Sequence, residues 1–96
     1  MKFEGVKRID GCLEGRNVWD FLFDEPVKKD FIYHLEDLGK LVYQDQMEKP
    51  FYTVIVRGKY TIKGSEGNKT FRVILPEDAD LIALEEIKKH CQAYGK

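Results

Sequence analysis

The sequence predicts an α+β fold, a two-layer sandwich in which two helices pack on one face of a mainly antiparallel sheet of about four strands. Two observations predict it. Segments before residue 24 and after residue 40 have the composition and alternation of strands, and two charged segments carry apolar residues at helical spacing. The order along the chain is therefore (β)βαβββα, with the first strand optional.

The N-terminal region gives the weakest pattern. Three glycines interrupt residues 1–16, and such a stretch is typical of turns. We expect it to be irregular or to form a short edge strand at Val6–Ile9. From Val18 to Phe23 the aromatic residues alternate, which favours a strand with one buried face.

A helix is predicted to open at Asp24-Glu25-Pro26, because an acidic cap and an early proline both suit a helix start. Gly39 is expected to end this helix in a left-handed conformation. The apolar stripe of the helix consists of Val27, Phe31, Leu35 and Leu38.

Three strands and a second helix follow. The strands are predicted at Leu41–Gln46, at Phe51–Lys63 with a bend or bulge at Gly58, and at Lys69–Leu75. The second helix is predicted at about residues 79–94. Its apolar stripe consists of Leu84, Ile87, Cys91 and Tyr94, with Leu81 at the edge.

The apolar alternation also predicts the register of the sheet. A loop at Gly64–Gly67 would place Lys59 opposite Arg72 and Thr61 opposite Thr70. One face would then be apolar and covered by the helices. Its members are Leu41, Tyr43, Tyr52, Val54, Val56, Tyr60, Ile62, Phe71 and Val73. The other face would hold the cations Arg57, Lys59, Lys63 and Arg72, since a slip of one residue would bury them.

Length and composition exclude several classes of protein. The chain has 96 residues, 43% of them apolar, and a net charge of −1. These values predict one domain over residues 1–96 and disfavour a disordered chain or a strongly basic nucleic-acid coat protein. No apolar run reaches the ~20 residues of a membrane span, and no secretory signal is visible, so we expect a cytoplasmic protein. Cys12 and Cys91 are expected to be free thiols.

A local excess of positive charge is the main functional signal. Residues 51–75 contain five bases and one acid, a local charge of +4 within a nearly neutral chain. The opposed Lys59 and Arg72 would repel each other unless an anion lay between them. Arg57, Lys59, Lys63 and Arg72 are therefore predicted to bind an anionic ligand or an acidic protein. The leading interpretation is a non-enzymatic interaction module.

Three alternatives remain open. The basic hairpin at 57–72 could bind nucleic acid, although base stacking needs exposed aromatics and the predicted register supplies only Phe51. Aromatic residues such as Trp19 and Tyr33 could form a homodimer interface. His34 and Cys91 could approach each other and serve a small enzyme. The sequence has no CxxC, HxH or HExxH spacing, and we expect no metal, no cofactor and no catalytic residue.

Overall fold

Six strands and two helices make up the fold in a computed structural model that describes residues 2–9, 17–46, 48–76 and 81–94. The strands are β1 (Phe3–Ile9), β2 (Asn17–Phe23), β3 (Lys40–Gln44), β4 (Phe51–Val56), β5 (Tyr60–Ser65) and β6 (Thr70–Leu75). The helices are α1 (Lys29–Leu35) and α2 (Ile82–Gln92). All pairings are antiparallel, in the order β1-β2-β6-β5-β4-β3. The predicted α+β class is confirmed.

One crossover sets the chain path. After β2 the chain passes through α1 to the far edge of the sheet, and β3 to β6 then meander back until β6 pairs with β2. The element order agrees with the predicted (β)βαβββα except that β4 and β5 replace one predicted strand. The strand β1 occupies the other edge, where it pairs with β2 and extends further than the predicted Val6–Ile9. Residues 10–16 lie outside the described residues.

Six strands form in place of the predicted four, because the optional first strand is present as β1 and because Gly58 turns the chain. We expected a bend or bulge within one strand at Phe51–Lys63, but Val56 pairs with Tyr60 across a tight turn. The Lys59 amide donates to the Val56 carbonyl at 3.0 Å, and Gly58 adopts a φ of 77°. Glycine enters this left-handed region without steric cost. The predicted strand is therefore the hairpin of β4 and β5.

The helix α1 begins later than predicted because Val27 is tied to the β5–β6 turn. The Val27 amide donates to the Asn68 carbonyl, and the Val27 carbonyl accepts from the Gly67 amide, both at 2.8 Å. These bonds hold Val27 outside the helix, and the extended Lys28 is the cap residue. The predicted burial of three stripe residues is nevertheless confirmed, since Val27, Phe31 and Leu35 all lie in the core.

Gly39 has a different role from the predicted left-handed helix stop. Among the described glycines, a positive φ is found only at Gly58 and Gly67. Gly39 instead lies against β4, where an added Cβ would be 2.5 Å from the Ile55 carbonyl oxygen and 2.9 Å from Val56 Cγ2. The missing side chain therefore allows the start of β3 to approach β4.

The register of the β5–β6 hairpin differs from the prediction by an even number of residues. Lys63, and not Lys59, is the partner of Arg72, and Thr61 faces Ile74 in place of Thr70. The connection has the predicted four residues but lies two residues later than Gly64–Gly67, between Ser65 and Thr70. Its Gly67 and Asn68 also bind Val27. Side chains alternate with period two, so an even displacement keeps the residues of β5 and β6 on their predicted faces.

The core lies between the apolar face of the sheet, here called the inner face, and the two helices. Phe21 and Phe71 stack with ring centroids 5.2 Å apart, and Phe23 contacts Phe31 of α1. The helix α2 buries the predicted stripe residues Leu84, Ile87 and Cys91. We expected it to span 79–94, but it covers Ile82–Gln92, and residues 79 and 80 lie outside the described residues.

A buried hydroxyl without a partner gives a test of this core. Tyr52 is 1% exposed, and its hydroxyl has no hydrogen-bond partner among the described residues. Replacing Tyr52 with phenylalanine is expected to raise the free energy of unfolding by about 1 kcal/mol, because it removes an unsatisfied polar group. Urea unfolding measures this. Tyr43→Phe is the matched control, since it removes a hydroxyl that donates to Glu66, and it should give no such gain.

Candidate anion-binding face

The sheet face opposite the core, here called the outer face, carries a row of charged residues in register. Each member lies beside the next on the neighbouring strand, and the row consists of Lys7, Asp20, Arg72, Lys63 and Thr53. Alternation places these side chains away from the core because Phe21, Phe71, Ile62 and Val54 point inward. The pleat of the sheet therefore gathers three bases and one acid into one line.

Asp20 and Arg72 form an ion pair in the middle of this row. Arg72 Nε lies 3.0 Å from Asp20 Oδ1, with the two side chains 37% and 23% exposed. Lys63 is the direct cross-strand neighbour of Arg72 on the other side. Like charges at such positions repel each other, so Asp20 compensates for part of the positive charge. The repulsive pair that the sequence predicts is present, but with Lys63 in place of Lys59.

The predicted site residues fall into two groups. Lys63 and Arg72 lie on strands of the outer face. Arg57 and Lys59 lie in the β4–β5 turn and are exposed there. The strand alternation does not reach this turn, because Val56 and Tyr60 close it. The four cations thus do not form the single patch that was predicted.

A shallow groove of about 520 Å³ runs along the outer face. Its lining combines an acid, two bases, hydroxyl groups and an aromatic ring, and includes Asp20, Phe51, Thr53, Lys63, Thr70 and Arg72. Phe51 is 43% exposed, a high value for a strand phenylalanine. The outer face thus offers positive charge, hydrogen-bonding groups and one aromatic surface.

Sequence reasoning missed one residue of this groove and identified another. Asp20 stands between Trp19 and Phe21, and its outward position follows from the alternation of the aromatics around it. The pairing of Asp20 with Arg72 could not be predicted, because it depends on β2 lying next to β6, and local sequence patterns do not reveal which distant strands are neighbours. Phe51 was predicted as the exposed aromatic residue of this register, and it is 43% exposed. The alternation with buried Tyr52 was the signal that it faces outward.

His34 pairs with His90 and not with Cys91. The His34 Nε2 donates to the His90 carbonyl at 2.8 Å, and the His90 Nε2 donates to the His34 carbonyl at 2.7 Å. The two rings stack with centroids 4.0 Å apart and planes 6° apart. This reciprocal contact joins the last turns of α1 and α2, and its carbonyl acceptors require a proton on each Nε2.

The histidine pair could supply metal ligands only after rearrangement. Ligand atoms of His34, Asp37 and His90 lie within 4.8 Å of one another. The stacked rings lie in nearly parallel, separate planes, however, so in-plane lone pairs of the two rings cannot point at one common position. A tetrahedral Zn²⁺ needs two imidazole nitrogens directed at it from about 2.0–2.1 Å. The observed arrangement fits a structural contact better than a metal centre.

The Cys91 thiol is unsuited to nucleophilic chemistry in this environment. It is 5% exposed, and burial raises its pKa from 9.0 to about 12. The thiolate is the reactive form of cysteine, and it is absent at neutral pH when the pKa is so high. Because His34 also binds a backbone carbonyl, the geometry gives no support to a Cys–His catalytic pair.

The aromatic residues that could form a homodimer interface divide between the core and the surface. Phe21 and Phe23 are buried. The Trp19 indole is half-buried and donates to Asn17 at 2.7 Å. The exposed Tyr33 stacks on Tyr43, with centroids 6.0 Å apart. The arrangement therefore supplies a single small surface cluster in place of a broad aromatic patch in the described part of the chain.

Comparisons with known proteins add no functional information. The chain matches no protein-family model, and searches of curated proteins and of solved structures gave no significant match. Within the described ranges, neither helix has the length and apolar character needed to cross a membrane.

Proposed function

We propose that this protein is a non-enzymatic binding module whose outer sheet face takes an anionic partner. The observation that carries the proposal is the cross-strand pair of Lys63 and Arg72 in the groove of this face. Two neighbouring cations on an open sheet surface are stabilised by an anion placed between them. Asp20 binds Arg72 within the same row, so an anionic partner would meet a face whose positive charge is partly compensated.

The distribution of charge over the outer face supports this proposal. The bases Lys7, Lys40, Lys63 and Arg72 alternate onto it, with Asp20 as the acid among its described strand residues. This excess of positive charge is concealed in the overall net charge of −1. The field of such a face would attract anions and speed their encounter with the protein. The same field disfavours pairing between two copies of this face.

The alternative of a small enzyme has less support than a binding function. The two groups that suggested it, His34 and Cys91, are engaged in a backbone contact and in the core respectively. The groove of the outer face supplies Lys63, Arg72 and Asp20, but the last two are paired with each other. Charge and shape complementarity are what this arrangement offers, and these are properties of a binding surface.

The test is binding of two polyanions, poly-L-glutamate and poly-uridylate, measured by fluorescence anisotropy at low salt. Lys63→Gln is expected to weaken binding by roughly tenfold, because a hydrogen bond to a charged group is lost. The matched control is Lys89→Gln, which makes the same charge change on α2, away from the outer face. Lys59→Gln reports whether the β4–β5 turn contributes as the sequence predicted.

The outcomes are distinct. Loss of affinity in Lys63→Gln with no change in Lys89→Gln supports the outer face as the binding site. The proposal is overturned if neither polyanion binds at low salt, or if both substitutions weaken binding equally. Circular dichroism of each variant confirms that the fold is retained.

A further inference from the structure

The position of Phe51 relative to Lys63 identifies a more specific ligand for the outer face. Phe51 pairs with Ser65 of β5, and Thr53, two residues further on β4, pairs with Lys63. Phe51 and Lys63 are therefore diagonal neighbours on one face. Such neighbours are about 7–8 Å apart at the backbone, within reach of an aromatic and a long side chain. An exposed ring and a flexible cation thus border the same part of the groove.

We propose that the groove binds single-stranded nucleic acid, with one base stacked on Phe51 and a backbone phosphate at Lys63. This inference rests on the proposed function and names the partner for the same face. Stacking on an aromatic side chain and a phosphate contact with a nearby cation are the two elements of single-strand recognition. Only an unpaired base can offer its flat surface to a side chain in this way, so a duplex would not fit.

The rest of the groove suits a nucleotide. Hydroxyl and amide groups of Thr53, Ser65, Asn68 and Thr70 line it between Phe51 and the Asp20–Arg72 pair. Such groups can donate to and accept from base edges and sugar hydroxyls. The volume of about 520 Å³ lies within the 300–1,000 Å³ that is typical of ligand sites. It therefore has room for one nucleotide unit of a longer strand.

An acidic peptide explains less of this surface. Its carboxylates could bind Lys63, but they would leave the flat surface of Phe51 without a specific role. Phe51 is 43% exposed, whereas the other described phenylalanines of the sheet are partly or fully buried. An exposed ring beside a cation is what base stacking requires. The groove carries little net charge, with two bases against Asp20. We therefore expect stacking to contribute more than phosphate neutralisation, and the salt dependence to be shallow.

The experiment compares a fluorescently labelled ten-nucleotide oligouridylate, a duplex of equal length, uridine monophosphate and poly-L-glutamate as ligands of the full chain. Phe51→Leu keeps an apolar side chain but removes the aromatic surface, and it should weaken oligouridylate binding by about tenfold. Lys63→Gln should lower the slope of log affinity against log salt by about one. Tyr33→Leu is the matched control, since it removes an exposed aromatic ring from α1.

The results separate this inference from the proposed function. Binding of the single strand over the duplex, weakened by Phe51→Leu but not by Tyr33→Leu, supports it. If Phe51→Leu binds the oligonucleotide as well as the native chain while Lys63→Gln does not, base stacking is refuted and the anionic partner stands. If poly-L-glutamate alone binds through Lys63, the partner is an acidic protein and this inference is overturned. Uridine monophosphate binding as tightly as the oligonucleotide identifies a mononucleotide site and overturns the single-strand assignment.

Discussion

Replacing Gly39 with alanine is expected to lower the free energy of unfolding by about 1–3 kcal/mol, the usual cost of overpacking. The added Cβ would lie 2.5 Å from the backbone oxygen of Ile55 and 2.9 Å from Val56 Cγ2. The nearest contact is therefore with the backbone of β4, which pairs with both β3 and β5 and cannot move alone. Urea unfolding followed by circular dichroism measures the loss.

The control for this substitution is Gly5→Ala in the edge strand β1. An added Cβ at Gly5 has no atom within 4 Å, and its φ is not positive. Alanine there should leave stability unchanged or raise it slightly, because glycine is the less favourable residue in a strand. Equal losses in the two variants would show that the contact of Gly39 with β4 is not the cause.

The faces of the sheet could be predicted from the sequence, whereas its exact pairings could not. The alternation of apolar residues predicts one inner face, which includes Tyr60, Ile62, Phe71 and Val73. This prediction holds for any β5–β6 register that is shifted by an even number of residues. Lys63 and Arg72 were therefore placed correctly on the outer face. The position of the four-residue loop decides which residues face each other, and Gly67 and Asn68 in this loop bond to Val27, a residue distant in sequence.

The strand count shows the same limit. The sequence around Gly58 is equally consistent with a bulge inside one strand and with a left-handed turn between two strands, because glycine is favoured in both. Only the pairing of Val56 with Tyr60 distinguishes them.

Side-chain pairs between distant elements were also beyond prediction. The helical stripes placed His34 and Cys91 near the core but could not fix the rotation of one helix against the other. A small difference in this rotation brings His90, and not Cys91, to the His34 ring. The Asp20–Arg72 pair likewise depends on the pairing of β2 with β6, strands separated by most of the chain. Local patterns specify which face a residue occupies, and the topology specifies its partner.

Raising the pH is expected to destabilise the protein strongly, with Cys91 as a principal cause. Burial raises the pKa of Cys91 from 9.0 to about 12. The pKa of Tyr60 is raised from 10.0 to about 12, mainly by burial and to a lesser extent by the nearby Glu86 and Cys91. Burial also raises the pKa of Tyr52. At pH values between the unfolded and folded pKa of each group, the group has lost its proton in the unfolded chain but keeps it in the folded chain. The free energy of unfolding therefore falls as the pH rises through this window, and the contribution is fully present below about pH 9.

The substitution Cys91→Ala isolates one part of this effect. At about pH 11, some two pH units above the unfolded pKa, ionisation of Cys91 should favour the unfolded chain by about 3 kcal/mol. Cys91→Ala removes this ionisation, so its stability should fall less steeply between about pH 8 and pH 11, although the smaller side chain lowers stability at neutral pH. Cys12, the lysines and the tyrosines are common to both proteins, so the difference in slope reports Cys91. The free energy of unfolding is measured by urea at each pH and plotted against pH for both proteins. Parallel plots would contradict a buried, protonated thiol, since an accessible Cys91 would ionise equally in the folded and unfolded states.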